Sequence, residues 1–143
     1  MNHSPAKTVA KPDPHDRSKT FDPEERTAKF AETIIHFCSQ IPRNPILDPL
    51  VHQLVRSGTS VGANYAEANN ASSRNDFAYK IGLCRKEACE TMYWLRLIGK
   101  AHPPTLTKAR ELWREAKELN LIFSAIFRKS LSAKKGLAND SAT

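Results

Sequence analysis

The chain has 143 residues, 40% of them hydrophobic, and carries 22 Lys and Arg against 15 Asp and Glu, a net charge of +7. This length suits one compact domain with a buried core. No apolar run approaches the roughly 20 residues of a membrane-spanning helix, and no apolar leader segment opens the chain. We therefore expect neither a membrane-spanning helix nor an export signal. Because the three cysteines are an odd count, we expect a reduced, cytoplasmic protein.

Both ends of the chain lack the apolar periodicity of a folded element. Residues 1–20 are rich in Pro, Lys and Ser, a composition typical of disorder. We therefore predict a disordered Pro/Lys-rich extension over 1–20, a helical domain over 21–131 and a flexible C-terminal tail over 132–143. The central domain keeps a mildly basic balance with charges of both signs interspersed, which permits an anionic partner without requiring one.

The first two helical patterns both open on an Asp-Pro pair. In the first, Asp22 is the expected cap and Pro23 the first helical residue. Its apolar residues recur at spacings of three and four, and they are Phe30, Ile34, Phe37 and Ile41. The second pattern is expected to open at Asp48-Pro49. Its stripe is Leu50, Leu54, Val61, Tyr65 and Ala68.

Two more helical patterns complete the domain. The third opens at Ser73 with Asp76, and its stripe is Phe77, Ile81, Cys84, Ala88, Met92 and Leu95. A His-Pro-Pro turn at 102–104 separates it from the fourth, whose stripe is Leu112, Ala116, Leu119, Phe123 and Ile126. No segment alternates with period two. Four helices joined by short turns predict an all-α, antiparallel up-down four-helix bundle.

The third helix carries a second apolar set away from its core stripe. At about 100° per residue, the set lies on the far side of the helix and consists of Tyr79, Leu83, Trp94 and Leu97. One bundle buries one stripe, so the set favours self-association with this helix at the contact between protomers. The alternative is that amphipathic rings lie singly on the surface, which is common.

A third sector of the same helix is basic. Arg74, Arg85 and Arg96 recur every eleven residues, about three turns, so they align along the helix, with Lys86 and Lys100 beside them. Such charges are most often a solvated face. If an oligomer repeats them by symmetry, they build a surface that binds the phosphates of RNA or DNA.

The second helix contains many small residues, with Gly58 and Gly62 among them, which suggests that another helix crosses it closely. One side of this helix is polar at helical spacing. Its members Arg56, Ser60, Asn64 and Glu67 include no nucleophile–base pair. We interpret them as a structural hydrogen-bond network at a helix or subunit contact.

Residues for catalysis or metal binding are not arranged in any recognisable pattern. The five histidines are scattered, and Cys84 and Cys89 lie about 140° apart on a helix, unsuited to holding one ion. No glycine-rich phosphate loop follows a strand, and no serine occupies a nucleophile elbow. The sequence therefore predicts a protein that is not an enzyme and binds no metal or cofactor.

Three segments of helices two and three are familiar: RSGTSVGANYAEA (56–68), SRNDFAYKI (73–81) and KEACETMYWLRLI (86–98). Together they resemble the bacterial four-helix-bundle protein family, also called the 23S rRNA intervening-sequence protein family. The resemblance implies an up-down bundle assembling as a homopentamer. It also points to the related accessory variability proteins of diversity-generating retroelements, which are positively charged pentamers that bind nucleic acid and a reverse transcriptase.

Two hypotheses about function follow. In the first, the protein is an oligomeric accessory factor that binds RNA or DNA through a basic surface. In the second, it is a protein-interaction scaffold without nucleic-acid binding, whose partner is a reverse transcriptase or another protein.

Overall fold

Four α-helices make up the fold in the computed structural model, which describes residues 22–141. They are α1 (Pro23–Ser39), α2 (Leu47–Asn69), α3 (Arg74–Ala101) and α4 (Leu106–Asp140), and a short 3₁₀ turn (Pro103–Thr105) precedes α4. The described residues include no strand. The predicted all-α four-helix bundle is therefore confirmed. The predicted extension over 1–20 lies outside the described residues.

Helix packing follows chain order, with α1 against α2, α2 against α3 and α3 against α4. The short connections make successive helices antiparallel. An ion pair joins the first helix to the last, because Arg26 Nε donates to Glu115 Oε1 over 2.6 Å. The predicted apolar stripes meet at the centre, where Ile34, Leu54 and Phe123 are fully buried. None of the four helices carries an apolar stretch of membrane-spanning length in the part described.

Side-chain caps begin α1 and α3 as the sequence predicts. Asp22 Oδ1 accepts the backbone N–H groups of Glu24 and Glu25 at 3.0 and 3.4 Å. Ser73 Oγ accepts the N–H of Asp76 at 3.0 Å. Each cap satisfies N–H groups that the first turn of a helix cannot pair internally.

The start of α2 differs from the predicted Asp48-Pro49 opening. The helix begins at Leu47, and Asn44 Oδ1, three residues earlier, accepts the N–H groups of Ile46 and Leu47 at 2.7 and 3.3 Å. The Asp48 carboxylate instead accepts bonds from Arg43 and from the Asn44 N–H. An amide side chain caps a helix as well as a carboxylate does, and Asn44 precedes Asp48 in the chain.

The end of α4 also differs from the prediction. Residues 132–140 are helical, whereas the sequence predicted a flexible tail from 132. No proline interrupts the segment, and its Ala, Lys and Leu residues are good helix formers. Its described side chains are exposed, so this last part of α4 extends beyond the packed bundle.

Glycines let α1 approach α2 closely. A Cβ atom at Gly58 would lie 3.0 Å from Cγ2 of Ile34, and one at Gly62 would lie 3.0 Å from Oγ1 of Thr27. Ile34 and Thr27 are both buried, so neither side chain has free space to move into. The small residues of the second helix therefore mark the crossing of α1.

Replacing Gly58 with alanine should destabilise the bundle. Helix propensity alone would favour alanine by about 1 kcal/mol, but overpacking against Ile34 costs about 1–3 kcal/mol. We expect a lower free energy of unfolding in urea. Gly136→Ala is the matched control because nothing lies within 4 Å of its Cβ position. A Gly58→Ala protein at least as stable as Gly136→Ala would contradict the close contact.

Candidate nucleic-acid and assembly surfaces

A polar network lies between α2 and α3. Arg56 of α2 reaches two carboxylates of α3: Nη1 donates to Glu87 Oε2 at 3.2 Å, and Nη2 donates to Glu90 Oε1. Deeper in the contact, the buried Thr91 hydroxyl donates to Ser57 Oγ at 3.0 Å. The network fixes the pairing of these two helices through bonds that an apolar contact lacks.

The other residues of the predicted polar set bond differently. Ser60 Oγ donates to the Arg56 carbonyl at 2.5 Å, and Asn64 Nδ2 donates to the Ser60 carbonyl at 2.8 Å. Glu67 pairs with Lys80 of α3 at 2.5 Å. The set thus divides into bonds along α2, made by Ser60 and Asn64, and bridges to α3, made by Arg56 and Glu67.

Glu90 is held in its charged form. Burial alone would raise its pKa, but hydrogen bonds from Arg56 and Trp94, with the positive charge of Arg56, outweigh burial and leave the pKa below its ordinary value. A carboxyl whose pKa is depressed on folding stabilises the native state above its unfolded pKa, about 4.3. That contribution is lost as the pH falls through the folded pKa.

Removing the Arg56 charge should therefore cost stability in a pH-dependent way. We expect Arg56→Met to lower the free energy of unfolding by about 1–2 kcal/mol at pH 7, less than for a fully buried pair because the Arg56 side chain is 39% exposed. The difference from wild type should shrink below about pH 4. The control is Arg43→Met, because Arg43 is 92% exposed beside Asp48. Equal effects at both positions would contradict the role of the network.

The outer side of α3 carries two exposed tyrosines. Tyr79 is 62% exposed and Tyr93 54% exposed. Both line a groove of about 740 Å³ between α3 and α4, together with the half-buried Leu83 and Phe127. Sequence reasoning missed Tyr93, although its position about 40° from Tyr79 on a helical wheel was a readable signal.

Trp94 and Leu97 lie apart from this groove. The indole of Trp94 is half-buried and packs against the core, and its Nε1 donates to Glu90 Oε1 at 3.1 Å. Its ring also contacts Tyr93 edge-on at 5.1 Å between centroids. Leu97 lies nearer the C-terminal end of α3, in a second groove. The structure thus brings Tyr79 and Leu83 together but places Trp94 and Leu97 beyond them.

The predicted basic residues of α3 do not form one continuous surface. Arg85 lies over the Phe127 ring, with 4.4 Å between its Cζ and the centroid, so its guanidinium packs against α4. Lys86 is exposed beside the apolar groove. Arg74 is exposed at the start of the helix, about 33 Å along the axis from Arg96.

Arg96 and Lys100 come together with a cation that sequence reasoning missed. They line a groove of about 1000 Å³ between α3 and α4, and Arg110 of α4 lies on its other side. All three side chains are exposed, and no Asp or Glu is among the residues lining this groove. Trp113 contributes an aromatic ring to the same groove.

The charges of α4 are divided between its two sides. At about 100° per residue, its exposed cations on the α3 side lie within about 60° of one another, and they include Arg110, Arg114, Lys117 and Arg128. Its acidic residues face α1, where Glu115 pairs with Arg26 and Glu111 with Lys108. The spacings of four, three and eleven were a signal in the sequence for this basic side.

We define the α3/α4 basic face as Arg96 and Lys100 of α3 with Arg110, Arg114 and Lys117 of α4. In the described part of the chain, none of these five side chains has a carboxylate within 4 Å. Over the same residues, no three His, Cys, Asp or Glu side chains gather as metal ligands. The face is therefore a concentration of unneutralised positive charge.

Comparisons with known proteins agree with the architecture. The solved structure of a Bacteroides thetaiotaomicron protein of unknown function, from the S23 ribosomal protein family, is similar with a TM-score of 0.65 and 30% sequence identity. The match covers 73% of this chain and 96% of that chain. No curated protein matches the sequence significantly. The family model described as 23S rRNA-intervening sequence protein matches residues 21–125, so this chain belongs to that family.

Proposed function

We propose that the protein is a non-enzymatic accessory factor that binds RNA or DNA through the α3/α4 basic face. The observation that carries the proposal is the set of five exposed cations on this face, none with a carboxylate within 4 Å among the described residues. When such cations neutralise the phosphates of a nucleic acid, its bound counterions are released. This release favours binding and does not depend on the base sequence.

The distribution of the acidic residues supports this assignment. Glu87 and Glu90 pair with Arg56, Glu67 pairs with Lys80, and Glu115 pairs with Arg26. These pairs lie between α2 and α3 or between α1 and α4, and none of their carboxylates lines the groove of Arg96, Lys100 and Arg110. Positive potential is therefore concentrated on one side of the bundle, where it favours encounter with a polyanion.

Salt titration of binding tests the proposal. Fluorescence anisotropy of labelled RNA and DNA should show affinity that falls steeply with salt. If five cations neutralise five phosphates, the slope of log K against log salt should be about −4.5 on duplex DNA and about −3.5 on single strands. Absence of binding at about 50 mM salt, or a slope near zero, would contradict the proposal.

A second candidate function is a protein-interaction scaffold that self-associates. The observation favouring it is the exposed pair Tyr79 and Tyr93 on the rim of the apolar α3/α4 groove. Aromatic residues around a groove are typical of protein contacts. Assembly through this groove would set the basic faces of neighbouring protomers beside their shared contact, so the two functions are compatible. A homopentamer is the assembly that the family resemblance implies.

A further inference from the structure

The basic groove at the C-terminal end of α3 combines charge with an aromatic ring. Arg96, Lys100 and Arg110 surround it, and Trp113 forms part of its wall. Trp113 is half-buried and packs against the core, which holds the indole in one orientation. The Nζ of Lys117 lies over the ring, 5.5 Å from its centroid, so a base that stacks on this face displaces the exposed Lys117 side chain. Cations and a fixed aromatic surface are thus within one groove of about 1000 Å³.

We propose that this groove binds an unpaired nucleotide, an inference that rests on the proposed function. The base stacks on Trp113, and the flanking phosphates contact Arg96, Lys100 and Arg110. Cations alone recognise any polyanion, so they do not separate single strands from duplexes. An indole adds a preference for a base with a free face, as in proteins that bind single strands. A paired base inside a duplex has both faces covered by its neighbours and offers none.

The arrangement of the cations fits a strand passing over the ring. Arg96 and Lys100 are one turn apart on α3, so their side chains extend from the same side of that helix. Arg110 faces them from α4. Within the described residues, the Trp113 N–H has no hydrogen-bond acceptor, which leaves a donor for a base or phosphate oxygen. The ligand class is therefore single-stranded RNA or DNA, whose shared feature is an unstacked base between phosphates.

Tryptophan fluorescence gives a direct test. The chain has two tryptophans, so a Trp94→Phe protein reports on Trp113 alone. We expect saturable quenching by eight-residue oligouridylate and by oligothymidylate, and little quenching by a duplex at the same phosphate concentration. A tighter complex with the RNA strand than with the DNA strand would identify RNA as the source of the ligand, and equal affinity would show that the unpaired base alone is recognised.

Binding by Trp113 variants separates this inference from the proposed function. Trp113→Leu should weaken single-strand binding about 10-fold and leave duplex affinity within about twofold, while Trp113→Phe should recover most of the loss. Thermal melts followed by circular dichroism confirm folding of each variant. If Trp113→Leu does not fold, the quenching measurement on the Trp94→Phe protein decides, and equal quenching by single strands and duplex would contradict the stacking site. If single-strand and duplex affinities fall equally, or neither changes, the stacking site is wrong and the basic face stands. If wild-type protein binds neither form, the proposed function fails.

Discussion

Reversing two charges of the α3/α4 basic face should weaken nucleic-acid binding about 100-fold at about 0.1 M salt. The variant is Lys100→Glu with Arg110→Glu, which takes one cation from each side of the basic groove. Two phosphate contacts are lost and two repulsive charges replace them, so the salt slope should also become shallower by about 1.8 on duplex DNA. Anisotropy titrations at several salt concentrations measure both quantities.

A matched control separates local contacts from total charge. Lys29→Glu with Lys108→Glu reverses two cations of the groove between α1 and α4, on the opposite side of α4. Both double variants lower the net charge of the chain from +7 to +3. The control should retain affinity within about threefold, because distant exposed charges are screened at this ionic strength. Equal losses in the two variants would assign binding to overall charge and remove the face as its site.

The helices were predictable because apolar periodicity records burial. Ile34, Leu54 and Phe123 recur within stripes of period 3.6, and the structure buries all three completely. The start of α2 was missed since two caps compete there. Asn44 stands between prolines, and the Asp48-Pro49 pair imitates the opening of α1, so local sequence alone did not decide between them.

The basic surface was only half predictable because it is shared by two helices. Arg96 and Lys100 were visible on the third helix, but which cations of another helix face them depends on how α3 packs against α4. The same packing partly buries Arg85, since its guanidinium lies over Phe127 of α4. A charge pattern read along a single helix places residues on a side of that helix, while the neighbouring helix decides which of them remain available to a ligand.

The apolar and basic grooves follow one another along the same pair of helices. Leu83 and Tyr93 line the first, and Leu97 lines the second beside Arg96. A second protomer seated on the apolar groove would leave the basic groove at the edge of the contact. Assembly would then bring cations of two protomers near one strand and raise its affinity by multivalent contact.

Charge introduced into the apolar groove should therefore dissociate the proposed oligomer into single protomers. For Tyr79→Asp with Tyr93→Asp we expect the native mass to fall from a multiple of 16.0 kDa to that value, because the contact would bury two carboxylates without partners. Analytical ultracentrifugation measures the mass. The control is Ile35→Asp with Ile46→Asp, since both are exposed apolar residues away from this groove, and its mass should match wild type.

Cysteine reactivity gives an independent measure of the same contact. Burial raises the pKa of Cys38 and of Cys84 to about 12, so both thiols should react slowly with a maleimide. Cys89 is exposed and lines the apolar groove. Self-association should protect Cys89 in the wild type, and Tyr79→Asp with Tyr93→Asp should expose it, with alkylation at least about tenfold faster. Two results together would contradict self-association through the apolar groove: a wild-type mass of 16.0 kDa, and alkylation of Cys89 as fast in the wild type as in the variant. The outer side of α3 would then be available to a different protein partner.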